Sequence, residues 1–185
     1  MIAVPAGRFT EMVGQYCMEK IPGLKLASGM YQAMMVVNDD NDFVAGVVFT
    51  NFRDIDVEIS CVSETPAAWR PEVCKAIFTY IFDQLGCVRC TSITTRPNRK
   101  ARGFLESLGF TLEGNVRLGY DGQRDALIYG LLRSECRFLA DDSERDDGKE
   151  ERPETPASAG PGDNGEGSGG AEHRRRDSPS EPEPD

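Results

Sequence analysis

Asn98-Arg-Lys-Ala-Arg-Gly-Phe-Leu-Glu-Ser-Leu-Gly-Phe110 is the stretch that decides the fold. Asn98 follows Pro97 and is a residue type that caps helix starts, because its side-chain oxygen accepts from the first free N–H groups. The apolar side of the segment repeats at helical spacing. Gly109 then supplies the left-handed stop that ends many helices, and Phe110–Val116 reads as a strand. Val88–Thr95, just upstream, is another apolar strand. The unit is strand–helix–strand, the building block of a small α/β domain.

Further outward, residues 8–20 predict a helix with Phe9, Met12, Val13, Tyr16 and Cys17 on one face, ended by Pro22 and Gly23. Tyr31–Val37 and Phe43–Phe49 predict a hairpin around Asn38–Asn41. In residues 55–62, Ile55, Val57, Ile59 and Cys61 alternate with Asp56, Glu58, Ser60 and Val62, a strand with one core face and one face presenting Glu58. Ser63–Pro71 is a polar connection. Pro71 opens a helix carrying Val73, Ile77, Tyr80, Ile81 and Leu85 to Gly86. Gly119–Gly122 is a turn, Ala126–Leu132 a last strand and Ser134–Leu139 a short amphipathic segment. The expected order is α-β-β-β-α-β-α-β-β, a mixed α/β (α+β) sheet flanked by helices.

Residues 1–140 carry 16 acidic and 15 basic side chains; residues 141–185 carry 15 acidic and 6 basic ones, with 7 Gly, 6 Pro and no aromatic residue. The first part is long enough for one core. The second cannot offset the entropy of ordering, so a domain over 1–140 followed by a disordered acidic tail over 141–185 is expected. The net charge of −10 is thus a property of the tail. It argues against a broad nucleic-acid footprint, which needs a basic stripe. No run approaches the ~20 apolar residues of a membrane span. With no basic-then-apolar leader, the cytoplasm is the expected location. Six cysteines sit mostly in apolar runs and read as small buried hydrophobes; Cys87 and Cys90 have no second pair or nearby histidine, so no metal site is expected.

The strands ending near Ser63 and Thr95 are expected to point toward one crevice, where open sheets hold ligands. The helix start at Pro71 offers unpaired N–H groups and a positive dipole end. Arg70, Arg96, Arg99 and Lys100 either reinforce an anion site there or are solvated side chains near helix starts.

Asn98, Ala101 and Leu108-Gly109-Phe110, with the run Glu113-Gly114…Arg117 and the closing Ala126–Leu139 segment, resemble the GCN5-related N-acetyltransferase family, in particular the branch that acetylates ribosomal-protein N-termini. The resemblance spans roughly residues 8–139. It implies a mostly antiparallel central sheet with a parallel-strand wedge, acetyl-CoA as co-substrate and a primary amine, on a protein N-terminus or a small molecule, as acceptor. It implies that backbone groups near Cys61, Val62 and Ser63 pair with the pantetheine arm, and that the pyrophosphate rests on Trp69, Arg70, Glu72 and Val73. Asn98 and Phe104 would flank the arm near the second strand. Glu58 matches a base of this branch; its other reading is a solvated residue or an arginine partner. The chain departs from the family pattern in two places. No glycine lies between Gly46 and Gly86, where a glycine-rich phosphate loop is usual, and Leu105 stands where a tyrosine acid is common, so the candidate acids are Tyr120 or Tyr129 reaching in from another element, or water. The acceptor is expected to contact the first helix, the Pro22–Met30 loop and the Arg117–Arg124 hairpin. The alternative is a non-catalytic module of the same fold that binds a protein partner, favoured if Trp69 plugs the wedge. A protein substrate and a homodimer are both compatible with this reading.

Overall fold

A computed structural model describes residues 1–139 of the 185. The expected tail, and its boundary, lie outside the described residues. Seven strands form one sheet: β1 (Ile2–Pro5), β2 (Gln32–Val37), β3 (Phe43–Thr50), β4 (Asp56–Ser63), β5 (Arg89–Thr94), β6 (Thr111–Val116) and β7 (Ala126–Leu132). Their spatial order is β1-β2-β3-β4-β5-β7-β6, antiparallel throughout except for the β4–β5 pair. Helix α1 (Thr10–Lys20) packs on one face; α2 (Pro71–Thr79) and α3 (Arg99–Leu108) pack on the other.

The alternation of each strand sets these faces. Val57 and Ile59 of β4, Cys90 of β5 and Leu127, Tyr129 and Leu131 of β7 turn toward α2 and α3, where Phe78, Ile81, Leu105 and Phe110 complete the main core. A smaller core joins Val13 and Cys17 of α1 to Ala33 and Val48. Here Gly14 leaves room for the buried Tyr31 ring, which a Cβ at that position would force to shift. Helix α1 covers the β2–β3 side and leaves the same face of β5, β7 and β6 without a helix, so Thr91, Ile93 and Ile128 are only half-buried.

Several expectations are corrected. The chain opens with the short strand β1, paired to β2, so the order gains a leading β. Phe9 and Met12 are exposed, and Val13, Gly14 and Cys17 form the buried stripe of α1. Ile55 lies outside β4 and is exposed; its carbonyl instead receives the N–H groups of Val88 and Arg89. The second helix ends as α at Thr79 and continues as a wider turn over Tyr80–Gln84, closed by Leu85 N–H donating to the Tyr80 carbonyl at 2.9 Å. The expected Asn98 cap is present: its Oδ1 accepts from the Ala101 N–H at 3.1 Å, and Gly109 closes α3 at φ 102°.

Candidate functional site

The two parallel strands pair over only three positions, Asp56 with Arg89, Val57 with Cys90 and Glu58 with Thr91. Beyond Glu58 each strand keeps its outer partner, β3 for β4 and β7 for β5, and the two separate. At the parting, the Ser92 hydroxyl donates to the Ile59 carbonyl at 3.1 Å, a side chain doing what the ladder no longer does. The result is a wedge with Ser60–Ser63 on one wall and Ile93–Thr95 on the other. Its foot is braced on the face opposite α2. Asp56, 4% exposed, accepts from Arg53 at 2.5 Å and from the Thr91 hydroxyl at 2.9 Å. Arg89 sits between Asp56, at 3.5 Å, and Glu113 of β6, at 2.7 Å. Glu113 crosses the surface of Gly130 to make that contact, and a Cβ at Gly130 would lie 2.7 Å from its Oε2. The bond to Glu113, more than any other influence, pushes the Arg89 guanidinium pKa up.

Glu58 stands at the parting itself, half-buried, on the face of Asp56 and Ser60. Asn51, held at φ 50° just after β3, donates its Nδ2 to Glu58 Oε2 at 2.9 Å. A non-glycine residue in the left-handed region carries local strain, and asparagine tolerates it best. A cavity of about 200 Å³ is lined by Glu58, Ser60, Ile93 and Tyr120, together with Ile21, Gly23 and Leu24. Tyr120 reaches it from the β6–β7 hairpin; its hydroxyl donates to the Pro22 carbonyl at 2.7 Å, and Arg124 lies 5.1 Å over its ring. Burial is the main reason its phenol pKa is raised. The hairpin and the Pro22–Met30 loop thus meet over Glu58.

Tyr129 lies elsewhere. It is fully buried on the α3 side of β7; its hydroxyl donates to Glu106 at 3.0 Å and accepts from Arg102 at 3.4 Å. Leu105 is likewise buried in the core beneath α3.

The remaining candidates line the two ends of the wedge. Cys61 points toward the α2 side, where burial raises its thiol pKa, while Val62 packs with the α1 core. Ser63 is the last residue of β4. The connection then forms a tight turn, Pro66–Ala68, capped by Thr65, with the Trp69 N–H already committed to the Pro66 carbonyl at 3.2 Å. Arg70 caps α2 through its backbone alone, is exposed and makes no side-chain capping bond, and Pro71 occupies the first helical position. The first-turn N–H groups of Glu72 and Val73 are therefore the ones at an anion's disposal. Trp69 packs its ring on Phe104 at 5.5 Å, an aromatic bridge between the segments that leave β4 and β5. Asn98 is exposed; its cap uses Oδ1, and its Nδ2 has no hydrogen-bond partner among the described residues. Arg96, Arg99 and Lys100 are exposed beside it.

Sequence reading missed Asn51, Asp56, Arg89, Thr91 and Gly130 as parts of the site. Asp56 was the findable one, because it alternates onto the face of Glu58 two residues away. Nothing local marks Arg89, Glu113 and Gly130 as partners, since they meet only through sheet order.

No family model matches the sequence, and a search of curated proteins finds no match to it. Solved structures do share its fold. A point variant of the spermidine N-acetyltransferase SpeG from Vibrio cholerae superposes with a TM-score of 0.60 at 13% identity, over 75% of this chain and 98% of that one. A chimera of the Vibrio cholerae enzyme with hSSAT gives 0.56 at 13%, over 72% and 94%. A probable acetyltransferase gives 0.52 at 20%, over 70% and 88%. The mixed sheet with one splayed parallel pair is the fold of these acetyltransferases.

Proposed function

We propose that this chain moves an acetyl group from acetyl-CoA to a primary amine, in the manner of the N-terminal acetyltransferase branch that its motifs resemble. One observation carries the reading: the parallel strands part at Glu58, and Glu58 and Tyr120 line one small cavity there. In this reading the wedge walls, Cys61 to Ser63 and Ile93 to Thr95, offer backbone groups to the pantetheine arm as an added strand would. The first turn of α2, with Glu72 and Val73 N–H groups and the Arg70 side chain, faces the pyrophosphate. Asn98 Nδ2 is placed to donate to the arm, with Phe104 and Trp69 beside it.

In the transfer, the amine nitrogen attacks the thioester carbonyl carbon. The C–N bond forms, the C–S bond breaks with its electron pair leaving on sulfur, and the amine gives up one proton. Holding the two reactants together supplies most of the rate gain. Glu58, oriented by Asn51, is the group placed to take the proton directly or through water. In this reading Tyr120, protonated at neutral pH, gives up its bond to the Pro22 carbonyl to return a proton to sulfur; Tyr129 lies on the other face, with its hydroxyl between Glu106 and Arg102, which supports Tyr120 over it.

The Trp69–Phe104 contact and the buried Leu105 favour one second reading, a module of this fold that binds without turnover. Incubating the full chain with acetyl-CoA and an amine panel, and following both CoA release and acetylated product, separates the two. Product formation above the rate without protein supports transfer. Saturable acetyl-CoA binding with no product supports the module.

A further inference from the structure

Two grooves converge on Glu58. The first, about 820 Å³, runs along the Gly23–Gln32 segment and is walled by Leu24, Leu26, Met30, Phe52 and Leu85. The second, about 880 Å³, lies over the face of β4, β5 and β7 that no helix covers, with Arg53, Arg89, Thr91, Ile93 and Ile128 in its lining. Glu58, Asn51 and Phe52 border both.

The charges of these walls restrict what can lie in them. Lys25 and Glu58 are the charged residues lining the first groove. In the second, Asp56 is buried and already accepts from Arg53 and Thr91. Glu58 is thus the one accessible carboxylate of the two linings. A ligand with several ammonium groups would set its second beside Lys25, which repels it, or beside Arg53 and Arg89, whose carboxylate partners Asp56 and Glu113 are already engaged by them, so neither groove offers it a free carboxylate. Shape adds a second restriction. A linear amine leaves its nitrogen in one direction, whereas an α-amine sits on a carbon that carries both a side chain and a continuing chain. A carboxylate at the fork of two grooves matches the second arrangement.

Resting on the acetyl-transfer reading, we infer that the acceptor is the α-amine of a polypeptide whose first residue is large and apolar. That side chain lies in the Leu24–Met30 groove, and the following residues leave over the mixed-charge face beside Arg53.

The test uses the full chain, acetyl-CoA and five acceptors: three peptides identical except for a first leucine, serine or aspartate, an N-terminally blocked peptide with one internal lysine, and spermidine. Acetylated product is quantified by mass spectrometry. The leucine peptide is expected to exceed the serine peptide about tenfold or more in kcat/KM, the size of effect an apolar pocket gives, with aspartate, lysine and spermidine lower still. Met30→Asp, at a position 76% exposed and so safe for folding, is expected to bring the leucine-to-serine ratio close to one. Spermidine or the lysine peptide outpacing every α-amine, or equal rates for the three peptides, overturns the inference while leaving acetyl transfer intact. If no acceptor is modified, acetyl transfer itself fails, and anisotropy of a labelled leucine peptide with CoA present then decides the groove. Saturable binding weakened by Met30→Asp supports it, and its absence overturns it.

Discussion

Gly130→Ala tests the brace at the foot of the wedge. Gly130 has ordinary backbone angles, so alanine itself is tolerated there, but its Cβ would fall on the Glu113 carboxylate, 2.7 Å from Oε2. Glu113 must then withdraw from Arg89, breaking a 2.7 Å pair whose side chains are 28% and 37% exposed. A charge-assisted bond contributes about 1.5–3 kcal/mol when sheltered, and this much exposure cuts it to about 1–2 kcal/mol. Replacing glycine by alanine in a strand offsets about 0.5 kcal/mol of that. The net loss of about 1 kcal/mol lowers Tm by about 3 °C in a domain of this size. The assay is thermal unfolding by circular dichroism, run on Gly130→Ala, Glu113→Ala and the double variant. With Glu113 already truncated there is nothing for the Cβ to strike, and Gly130→Ala is expected to become neutral or slightly stabilising, a coupling between neighbours that a double-mutant cycle isolates. An equal drop in both backgrounds would refute the reasoning, because the collision would then lie elsewhere.

Glu58→Gln is expected to lower acetyl transfer about 10²-fold or more while leaving acetyl-CoA affinity within about twofold; unchanged turnover in steady-state kinetics removes Glu58 from the proton path. Asn51→Gly keeps the left-handed backbone and deletes the amide that holds Glu58 Oε2, so kcat is expected to fall with KM for acetyl-CoA unchanged, and a rise in KM alone would contradict a positioning role. Lys20, then Tyr16, hold the Glu64 carboxyl pKa below its ordinary value. A depressed folded pKa contributes stability that is present above about pH 4.3 and lost as pH falls through the folded value. The Tm difference between wild type and Glu64→Gln is therefore expected to be larger at pH 7 than at pH 3; a constant difference counts against the ion pair. The Tyr16 phenol, pushed up to about 12 chiefly by burial and then by Glu64, is expected to ionise late in an absorbance titration together with the raised Tyr31, Tyr80 and Tyr120 phenols, and Tyr16→Phe is expected to shrink that late step by one phenol's absorbance; an unchanged late step counts against the burial of Tyr16.

Much of the fold was legible because its signals are local. Asn98 at the cap, Gly109 at the stop and the two-residue alternation of β4 each encode a boundary or a face within a few residues. β1 was not, since four residues ending in Pro5 carry no turn signal and become a strand only by pairing with β2. Phe9 and Met12 misled because helical spacing gives a stripe without saying where the sheet stops; the buried stripe is instead Val13, Gly14 and Cys17, with the Tyr31 ring over Gly14. Glu58 and Tyr120 could be named from resemblance, but the cavity that joins them depends on the hairpin folding back to Pro22, a contact across 98 residues. The two tyrosines could not be ranked from sequence. Tyr129 lies on β7 and Tyr120 in the turn that joins β6 to β7, and only the folded positions of the two separate one near Glu58 from one locked against Glu106.

The central claim is that the parting of β4 and β5 receives acetyl-CoA. Calorimetric titration of the full chain with acetyl-CoA tests it most directly, without requiring the acceptor to be known. One saturable site is expected, with an affinity better than about 1 mM, equivalent to roughly −4 kcal/mol, and weakened when Arg70→Ala removes the side chain beside the α2 start. Heats of dilution alone at millimolar acetyl-CoA would contradict it.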